Sequence, residues 1–193
     1  RRFESAPRYH NTMKLSVIII SYKSEKLLKE LLYKIPSRYQ ITIIENSLLK
    51  TTKKNIEKKF KNAKVIIPPT NLGYASAFNL AFSKCINNFI LMITPDVKIS
   101  NKMIVRIEKF VKSFQKFTVL APVYKNQQIH KNFNLLRSTN NKIKVLGYNL
   151  FKVKEIDGCL FLLNKKKLKK TKIIDENFFL YFETTDFCLN LIK

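Results

Sequence analysis

Between Leu15 and Phe114 the sequence alternates short apolar runs with segments of helical period, and this alternation limits the fold more than any other feature. Leu15 to Ser21 is continuous and β-branched, as in a strand buried on both faces. Ser24 then opens a stretch that sets Leu27, Leu28, Leu31 and Leu32 on one helical face, stopped by Pro36. Ile41 to Ile44 is a second strand, Thr51 to Phe60 a polar surface helix, and Val65 to Ile67 a third strand closed by Pro68 and Pro69. After the Asn71-Leu72-Gly73 turn the pattern predicts a helix to about Ile86 and a buried strand over Phe89 to Ile93. A helix capped by Ser100 follows, with Met103, Ile104, Ile107, Phe110, Val111 and Phe114 at the 3.6-residue period. Beyond it the signal weakens. Thr118 to Tyr124 reads as another strand, Lys125 to Lys144 as a polar loop, Cys159 to Leu163 as a strand and Thr185 to Lys193 as a helix.

Strands alternating with helices give a mostly parallel sheet covered on both faces, and such sheets bind ligands beyond the carboxyl ends of their strands. Three of these strands are followed at once by polar residues: Ser21-Tyr22, Glu45-Asn46-Ser47 and Thr94-Pro95-Asp96. There Tyr22 could stack on a base, Glu45 could bind ribose or base hydroxyls, and Asp96 could hold a divalent cation through oxygen. Residues of these types after strands also simply cap turns and helices.

Composition narrows the classes. With 37 Lys+Arg against 13 Asp+Glu the net charge is +24, attractive to nucleic acid, acidic lipid or a nucleotide diphosphate alike. Most of the Lys is scattered, as on a solvated surface. Only Lys165, Lys166, Lys167, Lys169, Lys170 and Lys172 form a run dense enough for a local anion or membrane contact. The three glycines, Gly73, Gly147 and Gly158, build neither G-x-G-x-x-G nor a P-loop, and Ser21-Tyr22-Lys23-Ser24 lacks the glycine-rich loop of a sugar nucleotidyltransferase. Cys85, Cys159 and Cys188 are odd in number and far apart, which fits a reducing, cytoplasmic setting better than a disulfide framework or a zinc site. His10 and His130 have no partners in the pattern of a triad. No apolar run approaches the ~20 residues of a membrane-spanning helix. Arg1 to Thr12 is polar and precedes Met13, so residues 1–12 read as a disordered leader or added extension and 13–193 as a single domain.

In order, the chain carries L-S-V-I-I-I-S-Y, I-I-E-N-S, N-L-G-Y-A-S-A-F-N, I-T-P-D-V and F-F-L-Y-F-E-T-T-D-F-C-L. Together these resemble a family 2 glycosyltransferase of the rhamnosyltransferase-like kind, over nearly everything from Lys14 to Lys193. The resemblance implies a GT-A-type α/β fold, a Rossmann-like three-layer sandwich around a mostly parallel sheet. It also implies an enzyme that moves a sugar, with inversion, from a nucleotide-diphosphate sugar to an acceptor hydroxyl. Tyr22 matches the residue lying against the nucleotide base, Glu45 the acidic residue at base or ribose, and Asn71, Gly73 and Asn79 the donor-binding turn and the helix after it. Asp96 matches the last Asp of a D-x-D-like element that holds Mg²⁺ or Mn²⁺ on the donor diphosphate. The general base belongs to the Glu183-Thr184-Thr185-Asp186 segment. The family commonly places a second acidic residue where this chain has Thr184, so the role falls to Asp186 or Glu183, with Asp186 slightly ahead. Asp157-Gly158 matches a segment on the acceptor side.

Implied partners are a nucleotide-sugar donor, a saccharide or lipid-linked acceptor in cell-wall polysaccharide or glycolipid biosynthesis, and an anionic membrane contacted peripherally on its cytoplasmic side. Family members usually continue beyond the equivalent of Lys193, which makes the chain a fragment or a minimal member. The alternative is a catalytically degenerate nucleotide-binding domain or a basic nucleic-acid-binding protein; against nucleic acid, the aromatics fall at core periods instead of interleaving with basic residues.

Overall fold

The computed structural model describes residues 15–123, 133–135, 142–145, 147–168 and 172–192. The proposed leader, Tyr124, most of the expected 125–144 loop, Lys169, Lys170 and Lys193 lie outside them. In chain order the elements are β1 (Leu15–Ser21), α1 (Glu25–Leu32), β2 (Gln40–Glu45), α2 (Lys50–Lys59), β3 (Ala63–Ile66), α3 (Gly73–Lys84), β4 (Phe89–Ile93) and α4 (Asn101–Ser113). They continue through β5 (Val119–Leu120), β6 (Phe133–Leu135), β7 (Lys142–Val145), β8 (Tyr148–Phe151), β9 (Val153–Ile156), β10 (Leu160–Asn164) and α5 (Glu183–Ile192).

The main sheet has the order β3-β2-β1-β4-β10-β5. β3, β2, β1 and β4 run parallel, and β10 closes antiparallel on β4, with Leu160 opposite Ile93. β1 and β2 end level, Ser21 opposite Glu45, so both strands deliver their polar followers to one rim.

Alternation along each strand divides the core in two. Val17, Ile19, Leu91 and Ile93 face α1, α2 and α4 through Leu28, Leu32, Ile56, Ile104 and Val111. Ile18, Ile90, Met92 and Phe161 face α3 and α5 through Ala77, Phe78, Phe82, Phe187 and Cys188. With period-2 alternation, one strand feeds both clusters, and burying such side chains at about 25 cal/mol per Å² supplies the main stabilisation. The result is the expected three-layer α/β sandwich with a mostly parallel sheet.

Ser100 caps α4 as expected, its Oγ accepting from the Met103 amide at 3.2 Å. The other side of α4 is pinned by buried Glu108, which takes hydrogen bonds from the Tyr39 hydroxyl and Arg38 and an ion pair from Lys112 at 2.9 Å. Burial raises the Glu108 carboxyl, but these donors together outweigh it and bring the pKa to about 2.

Two expectations need correction. The strand expected over Thr118 to Tyr124 is only Val119–Leu120 among the described residues, because Pro122 lacks the amide that would continue the ladder. Within the expected loop, Phe133–Leu135 pairs with β9, and Lys142–Val145 pairs with Tyr148–Phe151 across a turn where Gly147 has φ +78°. Lys and Asn at alternate positions hid these strands, since polar residues on an exposed face leave little apolar signal.

Candidate active site

The carboxyl edge of the sheet gathers most of the residues singled out from sequence, in two groups. In the first, Glu45 is buried and its Oε1 accepts from the Ser47 amide at 2.9 Å, closing the turn after β2. Ser47 in turn accepts from the Lys23 amide, tying this turn to the loop after β1. Tyr22 stands in that loop with its ring 52% exposed, available for stacking. Asn46, also buried, reaches across to the Asn71–Gly73 turn: its Nδ2 donates to the Gly73 carbonyl at 2.9 Å and its Oδ1 accepts from the Leu72 amide at 3.4 Å. Asn71 Oδ1 accepts from the Gly73 amide at 3.0 Å, an Asx turn that starts α3. Asn46 was not among the sequence candidates. In I-I-E-N-S it looks like a turn residue, and only the fold brings it to a turn 27 positions away.

Gly73 sits at φ +68°, and a Cβ there would lie 2.3 Å from the Phe179 carbonyl oxygen. The close approach that requires glycine is therefore made by the chain itself, with the Tyr74 amide donating to the same carbonyl at 2.7 Å. Asn79 lies further along α3, buried. Its Nδ2 donates to the Ile174 carbonyl at 2.7 Å and to Glu176, and its Oδ1 accepts the Ile173 and Ile174 amides. Its amide is wholly engaged in holding the 173–176 segment on α3.

The second group surrounds the ends of β4 and α5. The Thr94 amide donates to the Cys159 carbonyl at 2.9 Å, and next to Cys159 the Gly158 carbonyl accepts from the Tyr74 hydroxyl at 2.5 Å. A Cβ on Gly158 would meet the Thr184 hydroxyl at 2.5 Å, so glycine is what allows α5 to close on this segment. Asp96 follows Thr94 by two residues and is exposed on the rim. At the start of α5, Glu183 is 6% exposed and Thr184 5%. Thr94 Oγ1, Glu183 Oε2 and Thr184 Oγ1 are all buried without a hydrogen-bond partner. Burial holds the Glu183 carboxyl above the usual carboxylate range, against the pull of its own backbone amide. Burial, followed by the nearby charges of Glu183 and Cys159, pushes the Tyr74 phenol well up. Asp186 lies one turn along α5, half-buried, accepting from Asn190 at 2.9 Å.

Backbone strain concentrates here as well. Among the described residues the non-glycine positive φ values belong to Lys23, Leu48, Tyr181 and Phe182, each in a loop at this edge. Phe179 to Phe182 remain 52–76% exposed, immediately before Glu183.

No group of three or more His, Cys, Asp or Glu able to hold a metal occurs among the described residues. A magnesium-like cation is commonly held by one or two carboxylates plus substrate phosphates, and Asp96, an exposed carboxylate on the rim, fits that donor set. The start of the dense Lys run lies elsewhere. Lys165 donates from its amide to the Asn88 carbonyl and from Nζ to the Cys85 carbonyl, both at 2.7 Å, at the amino end of β4 and so opposite the site.

A mostly parallel sheet covered by helices on both faces, with its polar strand ends on one rim, is the architecture of a GT-A fold. The family model for glycosyl transferase family 2 matches residues 16–172, and the chain belongs to that family. The low-salt glycan biosynthesis hexosyltransferase Agl10 of Haloferax volcanii is 22% identical over 205 residues, covering 93% of this chain and 64% of its own length. S. aureus TarS 1–349 superposes with a TM-score of 0.68 alone and 0.69 in complex with UDP-GlcNAc, at 20% and 21% identity, over 91% of this chain and 54% and 52% of TarS 1–349. The mannosyltransferase PcManGT from Pyrobaculum calidifontis, in complex with GDP-Man and Mn2+, gives 0.65 at 10% identity over 90% of this chain and 50% of its own. The chain thus spans less than two thirds of each of these relatives.

Proposed function

We propose that the carboxyl edge binds a nucleotide-diphosphate sugar and transfers the sugar, with inversion, to an acceptor hydroxyl. The single observation that carries this reading is the convergence on one rim of Tyr22, Glu45 and the Asn71–Gly73 turn with Asp96 and Glu183, whose buried Oε2 has no partner. Tyr22 offers its ring to the base, and Glu45 and Asn46 hold the turns that frame the nucleotide. Asn79 supports the frame from behind through Ile173 and Ile174. Asp96 would hold Mg²⁺ or Mn²⁺ at this rim. When bound, the cation offsets the negative charge that grows on the departing diphosphate.

Glu183 is the general base in this reading, ahead of Asp186. A carboxylate with a raised pKa takes a proton more readily, and Glu183 Oε2 has no competing partner, whereas Asp186 already accepts from Asn190. Thr184 is too weakly basic for the role. Glu183 is covered in the ligand-free chain, so the exposed, left-handed Tyr181–Phe182 segment next to it must shift to admit the acceptor. By analogy with Agl10, named for glycan biosynthesis, the acceptor is a glycan or its lipid-linked precursor. The +24 charge supports work on the cytoplasmic side of an anionic membrane. A second reading, a nucleotide-binding domain without turnover, is favoured by one observation: the buried hydroxyl of Thr184 occupies the position where the family commonly carries an acid.

A thermal-shift series with UDP and GDP, with and without Mn²⁺, tests the donor site. Metal-dependent stabilisation that disappears in Asp96→Ala is expected. If neither stabilises the chain the series extends to TDP, ADP and CMP, and no stabilisation of the folded chain by any of them would remove both readings.

A further inference from the structure

A second cavity, of about 620 Å³, lies between α4, the β5 strand, the β8–β9 segment and the far end of α5. Its size falls within the roughly 300–1,000 Å³ of small-molecule sites. The wall is aromatic: Tyr148 packs edge-on against Phe110 at 5.2 Å, Phe110 against Phe114 at 5.6 Å, and Phe114 against Phe117 at 6.4 Å. Apolar side chains around it stay open to solvent, with Met103 37%, Leu191 41%, Ile192 48%, Tyr148 51% and Val123 63% exposed. A contiguous exposed apolar surface of this kind marks a binding site more often than isolated exposed residues do.

The charges around this cavity have one sign. The described lining residues include Arg106, Lys116, Lys152 and Lys154 and no Asp or Glu. All four cations are exposed, and none is engaged in an ion pair among the described residues. An apolar slot with a purely cationic rim complements a ligand with an apolar chain and an anionic head. A second copy of a chain carrying +24 would bring like charge to like charge there.

We propose that this cavity takes up an acyl or prenyl chain of a phosphate-bearing membrane lipid, with the phosphate held by Arg106, Lys116, Lys152 and Lys154. The cavity opens at the far end of α5, where Leu191 and Ile192 lie roughly 12–14 Å along the helix from Glu183, while its inner wall at Cys188 and Ile156 comes within four and two residues of Thr184 and Gly158. It holds the chain at a bilayer by inserting Met103, Val123, Tyr148 and Leu191 around the lipid, in addition to the diffuse attraction of the surface lysines. The inference stands on the cavity and its rim, whether or not the transferase reading holds.

The sequence contains no Trp, so Tyr148→Trp creates a single, selectively excited tryptophan in the cavity wall, with Val123→Trp as a second reporter and Tyr33→Trp, on the C-cap of α1, as the remote control. The expected result with vesicles of brominated phosphatidylglycerol is a blue shift and loss of emission at 148 and 123 but not at 33. Brominated phosphatidylcholine should give little change at any position, and Leu191→Glu in the reporter background should abolish the quenching. Sedimentation with phosphatidylglycerol vesicles without quenching at 148 or 123 would mean surface charge alone and would overturn the proposal. So would a blue shift at 148 that grows with protein concentration in the absence of lipid, the sign of a second copy in the cavity.

Discussion

The two halves of the carboxyl edge differ in how their polar groups are satisfied. On the β1–β2–α3 side, Glu45, Asn46, Asn71 and Asn79 all have protein partners, and the turns they hold lock one another across two strands and a helix. On the β4–β10–α5 side, Thr94, Glu183 and Thr184 bury oxygens with no partner. An unpaired buried polar atom costs about 1–3 kcal/mol, which the protein tolerates where a ligand or a conformational change supplies the missing partner. The first half is a preformed frame, and the second holds reactive groups in reserve. Tyr74 links them, its amide on Phe179, its hydroxyl on Gly158 and its phenol beside Glu183.

The contrast can be broken from either side. The largest effect is expected at Glu183→Gln, which should lower kcat by about 10²–10⁴-fold while leaving nucleotide-induced stabilisation intact. Its folded pKa lies above the ordinary carboxylate value, so any stability tied to its protonation is present below that value and lost as pH rises through the folded pKa. Neutral Gln should therefore melt no lower than the native chain at pH 7. Gly73→Ala does the reverse. The Phe179 carbonyl and the φ of +68° both oppose a Cβ, and a loss of about 2–3 kcal/mol should appear in chemical denaturation.

Asn79→Ala should cost about 2 kcal/mol, because it strands the Ile173 and Ile174 amides. A nucleotide affinity that falls no further than stability explains would confirm its supporting role. The smallest effect concerns Glu108, away from the site. Its folded pKa of about 2 lies below the ordinary 4.5, so the stability it contributes is present above 4.5 and lost as pH falls towards 2. Glu108→Gln should flatten that part of a pH–stability curve by about 1–2 kcal/mol.

The frame was more legible in the sequence than the reserve. Runs such as Val17 to Ile20 and Phe89 to Ile93 read as buried strands from their length and apolar continuity, and five ordered motifs pointed to the fold. Tyr22, Glu45, Asp96 and Asn71 reached one rim because each follows a strand or opens a helix. The long-range partners did not show: Asn46 read as a turn residue and Tyr74 had no role of its own until the fold set them against Gly73 and Gly158. The choice between Glu183 and Asp186 could not be read either. Both lie on one short helix, and only burial and the Asn190 hydrogen bond separate them. The strands Phe133–Leu135, Lys142–Val145 and Tyr148–Phe151 were hidden because they are only three or four residues long and Lys or Asn interrupts each apolar run.

The most direct test of the account is the pH dependence of kcat/KM for sugar transfer or donor hydrolysis, measured for the native chain, Glu183→Gln and Asp186→Asn. A buried base must be deprotonated to work, so the acid limb of the native profile should lie above the ordinary carboxylate value. Asp186→Asn should keep that limb, and Glu183→Gln should lose it together with most of the rate. An acid limb that stays in place in Glu183→Gln but vanishes in Asp186→Asn would contradict the account and move the chemistry one turn along α5.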